Sequence, residues 1–311
     1  MDISVVIPNY NGEALLNKNL PKVIEEMSGY KEGKTEIIVV DDFSQDKSVE
    51  VLKNFKQRNP NFNFAVNRSN KGFSSTVDRG AAMAKGEVLL LLNTDVRPEE
   101  GFLQPLLENF KDEKIFAVGC MDKSIENGKT ILRGRGLGQW QRGFLVHRRG
   151  EVDKKNTLWV SGGSGAFRKE IWDKLGGLNE LYNPFYWEDI DLSYRALKSG
   201  YKVVFEPKSV VIHEHEKGAI KSKYTDNQVK RIAYRNQLLF VWENATDFSL
   251  RLSHFVWLFY HLARAALSLD INFFAGFFNA LILLPKVIKS LSISQKYFIL
   301  SDKEVVIPCK L

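Results

Sequence analysis

The chain has 311 residues, of which 44% are hydrophobic and 26% are charged, a balance that excludes a globally disordered chain and indicates a globular protein. Its formal net charge of +7 favours polyanionic partners or an anionic membrane surface. No zinc-finger or RNA-binding signature accompanies this charge, so nucleic acid is not an expected partner.

The first 120 residues alternate strand-like and helix-like segments. Short β-branched apolar runs predict strands, and apolar residues at helical spacing predict helices. The expected strands are residues 3–8, 36–40, 63–67, 87–92 and 115–120, and the expected helices are residues 13–27, 47–57, 72–85 and 99–110. This alternation predicts βαβ units, and therefore an α/β fold with a mostly parallel central sheet and flanking helices.

The pattern changes twice after residue 120. Residues 121–158 predict irregular structure with a small antiparallel element, followed by an apolar stretch with a glycine-rich centre. Helices are expected at residues 169–175 and 190–199, and strands at 201–205 and 209–213. From residue 226 the sequence becomes helical and more apolar. We therefore expect a catalytic domain at 1–225 and a helical, amphipathic C-terminal extension at 226–311.

The cysteine content and the apolar runs suggest where the protein resides. Cys120 and Cys309 are too few for a disulfide framework, which fits a reducing compartment. The first residues show no basic segment followed by an apolar one, so no signal peptide is expected. No run of about 18 consecutive apolar residues occurs, so no clear membrane span is expected. A cytoplasmic location is the resulting prediction.

Polar side chains follow the ends of predicted strands, where ligands bind in parallel sheets. Asn93 and Asp95 come directly after four leucines and point the same way. Oxygen ligands there suit Mg²⁺ or Mn²⁺ bound to a diphosphate, although a turn aspartate has the same pattern. Asp41 and Asp42 end another strand, and only one of them can face a cleft, where it could accept a hydrogen bond from a nucleobase.

An acidic cluster lies between aromatic residues and a predicted helix. Glu188, Asp189 and Asp191 fall in the first helical turn, where the helix dipole alone favours negative charge. The functional interpretation is a general base between aromatic walls, because partial burial raises the pKa of a carboxyl group toward a useful range.

Two further features permit a functional role. His213 and His215 follow a predicted strand and face one side, which suits metal ligands beside the acidic strand ends. A lone histidine is nevertheless more often structural. The glycines at 162, 163 and 165 would let a ligand approach the backbone closely, although a bulge or a turn explains them equally well.

In their order along the chain, these segments resemble inverting family-2 glycosyltransferases of the GT-A fold, in particular the bacterial rhamnosyltransferase-like branch. The resemblance covers about residues 3–240, and no single motif is decisive. The matching segments are VIPNYN at 6–11, VDDFS at 40–44, NKGF at 70–73, DRG at 78–80, NTD at 93–95, GGSGAF at 162–167, WEDIDL at 187–192 and VIH at 211–213. The resemblance implies a Rossmann-like GT-A domain.

The resemblance also implies roles for individual residues. Asp189 matches the catalytic base, with Glu188 beside it. Asp95 matches the last aspartate of the Asp-x-Asp motif and, with His213, would hold a divalent metal, Mn²⁺ or Mg²⁺. The first aspartate of that motif is Asn93 here, so one charged ligand is replaced by a neutral one. The residues implied to bind the nucleotide sugar are Pro8, Tyr10, Asp42, Asn70, Gly72, Asn93 and Gly163.

The implied activity is transfer of a sugar, with inversion, from a nucleotide-diphosphate donor to a hydroxyl of a glycan or lipid-linked acceptor. Two alternatives stay open. A sugar nucleotidyltransferase carries a glycine-rich basic loop after its first strand, whereas residues 9–12 contain no Arg or Lys. A non-catalytic binding or assembly protein could keep the same fold, but Asp95, Asp189 and His213 argue against it. A dehydrogenase is disfavoured because G-x-G-x-x-G is lacking.

The C-terminal third combines aromatic residues with arginine and lysine. Residues 237–300 hold most of the late aromatic side chains, with Arg251, Arg264, Lys286 and Lys289 among them. This mixture is typical of helices lying in a membrane interface, and equally of a packed helical subdomain or a dimer face. The prediction is a peripheral association with the inner face of the cell membrane, which would fit a lipid-linked acceptor.

Overall fold

The computed structural model describes residues 1–126, 128–213 and 223–306. Its main sheet begins with parallel strands in the order β3-β2-β1-β4. The strands, in chain order, are β1 Ile3–Asn9, β2 Thr35–Asp41, β3 Phe62–Val66, β4 Val88–Leu92, β5 Val96–Pro98, β6 Ile115–Glu126, β7 Lys129–Arg133, β8 Gly136–Gln141, β9 Phe144–Arg149, β10 Ser164–Arg168 and β11 Lys202–His213.

The second half of the sheet is mixed. Strand β10 lies antiparallel between β4 and β6, and β11 runs parallel to β6. Strands β5 and β7 add antiparallel pairings to β11 and β6, while β8 and β9 form a separate hairpin. The α/β fold with flanking helices is confirmed, and the glycine-rich stretch adds an antiparallel strand at the centre of a sheet that was expected to be mostly parallel.

Helices cover both faces of this sheet and extend beyond it at the C-terminal end. They are α1 Glu13–Gly29, α2 Ser48–Arg58, α3 Phe73–Met83, α4 Leu103–Glu108, α5 Lys169–Leu175, α6 Glu188–Lys198, α7 Asp226–Asn244, α8 Phe248–Leu267, α9 Ile271–Ser294 and α10 Asp302–Val306. On β4, Leu90 and Leu92 pack in the core with α1, α2 and α4, whereas Leu89 and Leu91 pack with α3, α5 and α6. Double coverage explains why the central strands are continuously apolar.

Two elements differ from the sequence-based expectation. Helix α4 begins at Leu103 rather than at residue 99, because residues 96–98 form β5 and the Glu99 N–H donates to the Val210 carbonyl at 3.0 Å. The two strands expected at 201–205 and 209–213 form one strand, β11, whose pairing with β6 shifts between Glu206 and Val210. Pro207 lies in that shift and has no N–H to donate to a neighbouring strand.

The C-terminal helices share a hydrophobic core with the residues before α6 and within it. Tyr182, Trp187 and Tyr194 pack in one cluster with Phe240 of α7. Lys198 of α6 is fully buried, and its Nζ lies 2.8 Å from Oδ1 of Asp302 in α10, which is also fully buried. The domain boundary proposed at residue 225 therefore separates two chain segments that pack as one unit.

The Lys198–Asp302 pair gives a stability prediction. Lys198→Met should lower the free energy of unfolding by about 3–5 kcal/mol, because it leaves a buried carboxylate without its cation. The matched control is Lys202→Met, which removes an exposed ion pair to Asp112 with a Nζ–Oδ2 distance of 2.7 Å and should change stability little. Urea unfolding followed by tryptophan fluorescence measures both, and equal small effects would contradict the importance of the buried pair.

Candidate active site at the carboxyl edge of the sheet

The ends of β1 and β2 are joined by side-chain hydrogen bonds. Asn9 Nδ2 donates to Asp41 Oδ2 at 2.7 Å, and Asp41 also accepts from the N–H of Ser44 at 2.9 Å and from its hydroxyl at 2.5 Å. Asp41 is fully buried. Of the two adjacent aspartates, Asp41 is thus the one that fixes the turn after β2.

Asp42 holds the loop that precedes α3. Its Oδ1 accepts from Asn67 Nδ2 and from the Lys71 N–H, both at 2.7 Å, and its Oδ2 accepts from the Gly72 N–H at 2.9 Å. Asn70 Nδ2 donates to the Asp42 carbonyl at 3.2 Å. Gly72 has φ +85°, a left-handed conformation that favours glycine. The carboxylate thereby shapes the segment that the sequence assigns to nucleotide binding, and direct base recognition by Asp42 stays a prediction.

Two of the predicted nucleotide-binding residues share a lysine. Lys223 Nζ lies 4.6 Å from the centre of the Tyr10 ring and 3.4 Å from Asn70 Oδ1. Pro8, two residues before Tyr10, is half-buried at the end of β1. The exposed Lys223 side chain therefore lies close to both Tyr10 and Asn70, at the part of the sheet edge where β1 and β2 end.

Glycines at the start of β10 bring two polar groups close to one loop. The Asn93 N–H donates to the Gly163 carbonyl at 2.9 Å, and a Cβ on Gly163 would come within 2.5 Å of Asn93 Nδ2. A Cβ on Gly162 would lie 3.9 Å from the Cβ of Asp189. Asn93 and Asp189 thus lie beside two adjacent glycines of one loop, although 96 residues separate them along the chain.

The second polar group at the β4 end is paired with a histidine. His213 Nε2 lies 3.3 Å from Asp95 Oδ2, and its Nδ1 lies 2.8 Å from Asp122 Oδ2. Burial disfavours the charged imidazole, but the hydrogen bonds to Asp122 and Asp95 outweigh burial and raise the pKa of His213 to about 9. Asp95 and His213 therefore lie side by side in the structure.

These residues also fit a divalent cation held jointly with a substrate. The Asp122 carboxylate, paired with Nδ1 of His213, would direct the other ring nitrogen, Nε2, toward Asp95. Carboxylates orient metal-bound histidines in the same way. Within the described residues, the Oδ1 atom of Asn93 is buried without a hydrogen-bond partner. No group of three or more Asp, Glu, His or Cys side chains within 1–126, 128–213 and 223–306 is arranged to hold a cation alone. Mg²⁺ commonly takes one or two protein ligands together with substrate phosphates.

The acidic cluster forms the first turn of α6 behind a strained loop. Tyr186 and Trp187 have φ of +71° and +80°, a left-handed conformation that is uncommon for aromatic residues. Asp189 Oδ1 accepts from the Ile190 N–H at 2.8 Å. Burial raises the pKa of Asp189 to about 6, although N–H groups of Ile190 and Gly162 act in the opposite direction. Burial and the neighbouring Asp189 also raise the pKa of Glu188 well above its usual range.

An amide from the C-terminal helices holds this loop. Asn236 Nδ2 on α7 donates to the carbonyls of Tyr182, Phe185 and Tyr186 at 2.9, 2.9 and 2.8 Å. The adjacent Arg235 donates to the Asn183 carbonyl. Asn236 is fully buried, so its amide replaces water as the partner of these carbonyls.

Asp122 and Asn236 are the site residues that the sequence did not reveal. Asp122 falls in a segment expected to be irregular, and Asn236 lies inside an apolar helix without a motif around it. The only feature of the sequence that points to these two residues is a polar side chain among apolar neighbours. His215, the second histidine predicted beside the acidic strand ends, lies outside the described residues.

Comparison with known proteins supports one family. A family model described as glycosyl transferase family 2 matches residues 4–176. The probable glycosyltransferase YdaM of Bacillus subtilis is 27% identical over 218 residues, which cover 67% of this chain and 49% of YdaM. The O-antigen chain rhamnosyltransferase RfbN of Salmonella typhimurium is 24% identical over 222 residues, which cover 69% of this chain and 67% of RfbN. The chain thus spans about half the length of YdaM.

The fold has solved counterparts. The crystal structure of GalNAc-T7 with UDP, GalNAc and Mn²⁺ superposes with a TM-score of 0.64 at 22% identity, covering 78% of this chain and 47% of the other. At this identity the similarity concerns the fold.

Asp189 predicts a pH-dependent stability difference. Asp189→Asn should be more stable than the wild type by about 1–3 kcal/mol at pH 7.5, because the half-buried carboxylate has a folded-state pKa of about 6 against an ordinary 3.8. The raised folded pKa means that stability contributed by the neutral acid is present below pH 3.8 and lost as the pH rises through 6, so the difference should shrink at pH 5. Urea unfolding at both pH values measures it, with the exposed Glu100→Gln as control. A difference that does not change with pH would contradict the shifted pKa.

Proposed function

The chain belongs to glycosyl transferase family 2 and is a glycosyltransferase, and we propose that it moves a sugar, with inversion, from a nucleotide-diphosphate donor to an acceptor hydroxyl. The observation that carries this proposal is the loop at Gly162 and Gly163, which contacts Asn93 on one side and Asp189 on the other. A sugar seated against that loop would have its leaving group near Asn93 and its opposite face near Asp189.

The donor nucleotide is proposed to bind where β1 and β2 end. Tyr10 presents an aromatic face, and Asn70 and Gly72 lie on the loop that Asp42 holds. Pro8, the second-last residue of β1, lies at the same edge of the sheet. The presence of UDP in the GalNAc-T7 structure supports a nucleotide site on this fold, and uridine and deoxythymidine diphosphate sugars both suit the proposal.

A divalent metal, Mn²⁺ or Mg²⁺, is proposed at Asp95 and His213. The bound cation would neutralise the charge that develops on the leaving diphosphate. Asp122 would keep Nδ1 of His213 protonated and leave Nε2 for the cation. Asn93, with its unpaired Oδ1 and its contact to Gly163, is proposed to face the donor phosphates or sugar.

Asp189 is proposed as the general base. Its carboxylate would take the proton of the acceptor hydroxyl while that oxygen bonds to the anomeric carbon from the face opposite the diphosphate. The bond between the anomeric carbon and the diphosphate oxygen breaks in the same step, and the nucleoside diphosphate leaves with the electron pair. A pKa of about 6 makes Asp189 a stronger base than an exposed aspartate while keeping it ionised near neutral pH.

Glu188 is proposed to support Asp189. Its side chain is buried, and burial together with the charge of Asp189 raises the pKa of Glu188 well above its usual range. This shift favours the neutral acid at Glu188 beside Asp189, as expected for neighbouring carboxyl groups in an apolar environment. Among the described contacts, the buried Oε2 atom of Glu188 has no hydrogen-bond partner.

The acceptor is proposed to be a glycan or a lipid-linked glycan of the cell envelope, handled at the cytoplasmic face of the membrane. The name of RfbN, an O-antigen chain rhamnosyltransferase, supports this class of acceptor. Membership of the family favours this activity over the alternatives of a sugar nucleotidyltransferase and a non-catalytic binding protein.

The proposed base gives a kinetic prediction. Asp189→Asn should lower kcat by about 10²–10⁴-fold, because the hydroxyl loses its proton acceptor, while binding of the nucleoside diphosphate stays unchanged. Transfer or donor hydrolysis is measured with a panel of UDP-, dTDP- and GDP-sugars. The control is Asp173→Asn, an exposed aspartate on α5. Normal turnover by the Asp189 variant would contradict the assignment.

The proposed metal ligands give a binding prediction. In calorimetry, binding of UDP, dTDP or GDP should strengthen at least about tenfold on addition of Mn²⁺, and Asp95→Asn should abolish that gain because one anionic ligand is lost. Glu100→Gln is the control, since Glu100 is exposed five residues further along the chain. Equal binding with Mn²⁺ and with EDTA in the wild type would argue for a metal-independent enzyme.

A further inference from the structure

Helix α8 exposes a continuous apolar face. Phe248, Leu252, Phe255, Val256 and Phe259 have exposed fractions of 80%, 50%, 61%, 57% and 61%. Their spacing places them on one side of the helix. Soluble proteins rarely leave such a contiguous large apolar patch uncovered.

The patch continues around the α8–α9 turn and along α9. Leu267, Leu269 and Ile271 at the turn are 89%, 82% and 71% exposed, and Phe278 and Ile282 on α9 are 58% and 76% exposed. We call the exposed apolar residues of α8, the turn and α9 the apolar hairpin surface. Its members are Phe248, Leu252, Phe255, Val256, Phe259, Leu267, Leu269, Ile271, Phe278 and Ile282.

The opposite faces of both helices are fixed to the rest of the protein. His254 on α8 accepts from Trp242 Nε1 at 2.9 Å through Nε2, and its Nδ1 lies 2.8 Å from the Gly143 carbonyl. On α9, Gly276 packs closely on α7, where an added Cβ would come within 2.8 Å of Tyr234. The apolar hairpin surface is therefore the outer side of a docked layer, and turning it inward would break these contacts.

Helix α9 also has the length and composition of a membrane span. Within Ile271–Tyr297, the most apolar 18-residue stretch has a mean hydropathy of 1.7, and 22% of that stretch is buried. Polar bonds tie this helix along α7 at both ends. Asn272 accepts from Arg231 Nε at 2.7 Å near its start, and Ser290 donates to the buried Glu243 near its end. These bonds favour a helix that lies flat on the domain with one apolar side outward.

Along the sequence of these two helices, the charge is almost entirely positive. Between residues 248 and 300 there is a single acidic residue, Asp270, which is bonded to Lys230 and to the Tyr234 hydroxyl at 3.2 and 2.9 Å. The Arg142 guanidinium lies 5.6 and 5.8 Å from the ring centres of Trp257 and Tyr260 on α8. The basic residues in this range are Arg251, Arg264, Lys286, Lys289 and Lys296.

We propose that the apolar hairpin surface docks into the headgroup region of an anionic lipid bilayer, with α8 and α9 lying in the membrane plane. The apolar residues would enter the acyl boundary while the surrounding basic side chains contact lipid phosphates. A second copy of the same face is a poorer partner, because two surfaces with the same net positive charge repel each other. The proposal stands on exposure and charge, and it does not depend on the donor or on Asp189.

Vesicle sedimentation of the full chain tests the proposal. The wild type should bind phosphatidylglycerol-containing vesicles, bind pure phosphatidylcholine vesicles at least about tenfold more weakly, and lose affinity at high salt. Phe255→Ser with Phe259→Ser should reduce binding to phosphatidylglycerol vesicles by about tenfold or more. Arg264→Gln with Lys286→Gln and Lys289→Gln should reduce the preference for phosphatidylglycerol by about tenfold or more.

The matched control replaces two exposed apolar side chains on another hairpin, Ile125→Ser with Leu132→Ser, which are 40% and 44% exposed on β6 and β7. This control should bind vesicles as the wild type does. Wild-type protein that stays in the supernatant with phosphatidylglycerol vesicles would overturn the proposal. So would a stable dimer in light scattering that the double phenylalanine variant converts to a monomer, since that result would assign the surface to a second copy of the chain.

Discussion

The geometry of the candidate base depends on one buried amide. Asn236 offers its N–H groups to three carbonyls of the segment 182–186, and that segment leads directly into the turn that presents Asp189. The loop includes two aromatic residues with positive φ, each of which costs free energy unless its surroundings hold it. Because Asn236 belongs to α7, the C-terminal helices are a structural part of the site rather than an appendage to it.

A polar network extends this constraint along α6. Asp191 accepts from Arg195 Nε at 2.8 Å and from Asn244 Nδ2 at 2.7 Å, and the Tyr182 hydroxyl donates to Glu243 at 2.8 Å. Burial, followed by the charge of Asp191, raises the pKa of Glu243 to about 8. Buried networks of this kind contribute more to a unique arrangement than to net stability, because desolvation offsets much of the attraction. They set the orientation of α6 against α7, and thereby the position of its first turn.

Two aspartates at the site have different environments, and the difference suits the proposed chemistry. Asp95 faces Nε2 of the His213 imidazole, so these two side chains are placed to share a cation. At Asp189, desolvation raises the pKa to about 6, although hydrogen bonds from backbone N–H groups act in the opposite direction. The glycine at 163 lets the loop approach Asn93, since a side chain there would collide with it, and the glycine at 162 leaves room for Phe73.

The sequence by itself determined the α/β architecture, because continuous apolar runs such as the leucines of β4 require a sheet covered on both faces. It also identified the polar strand ends, the glycine loop and the acidic turn, since each is a local pattern next to a strand or a helix. Only the tertiary structure decided that β10 is inserted antiparallel, that Asp122 supports His213 across 91 residues of chain, and that Asn236 shapes the loop before Asp189. These contacts join elements far apart along the chain, and hydrogen bonds between such elements depend on how the elements pack, which local propensity does not encode.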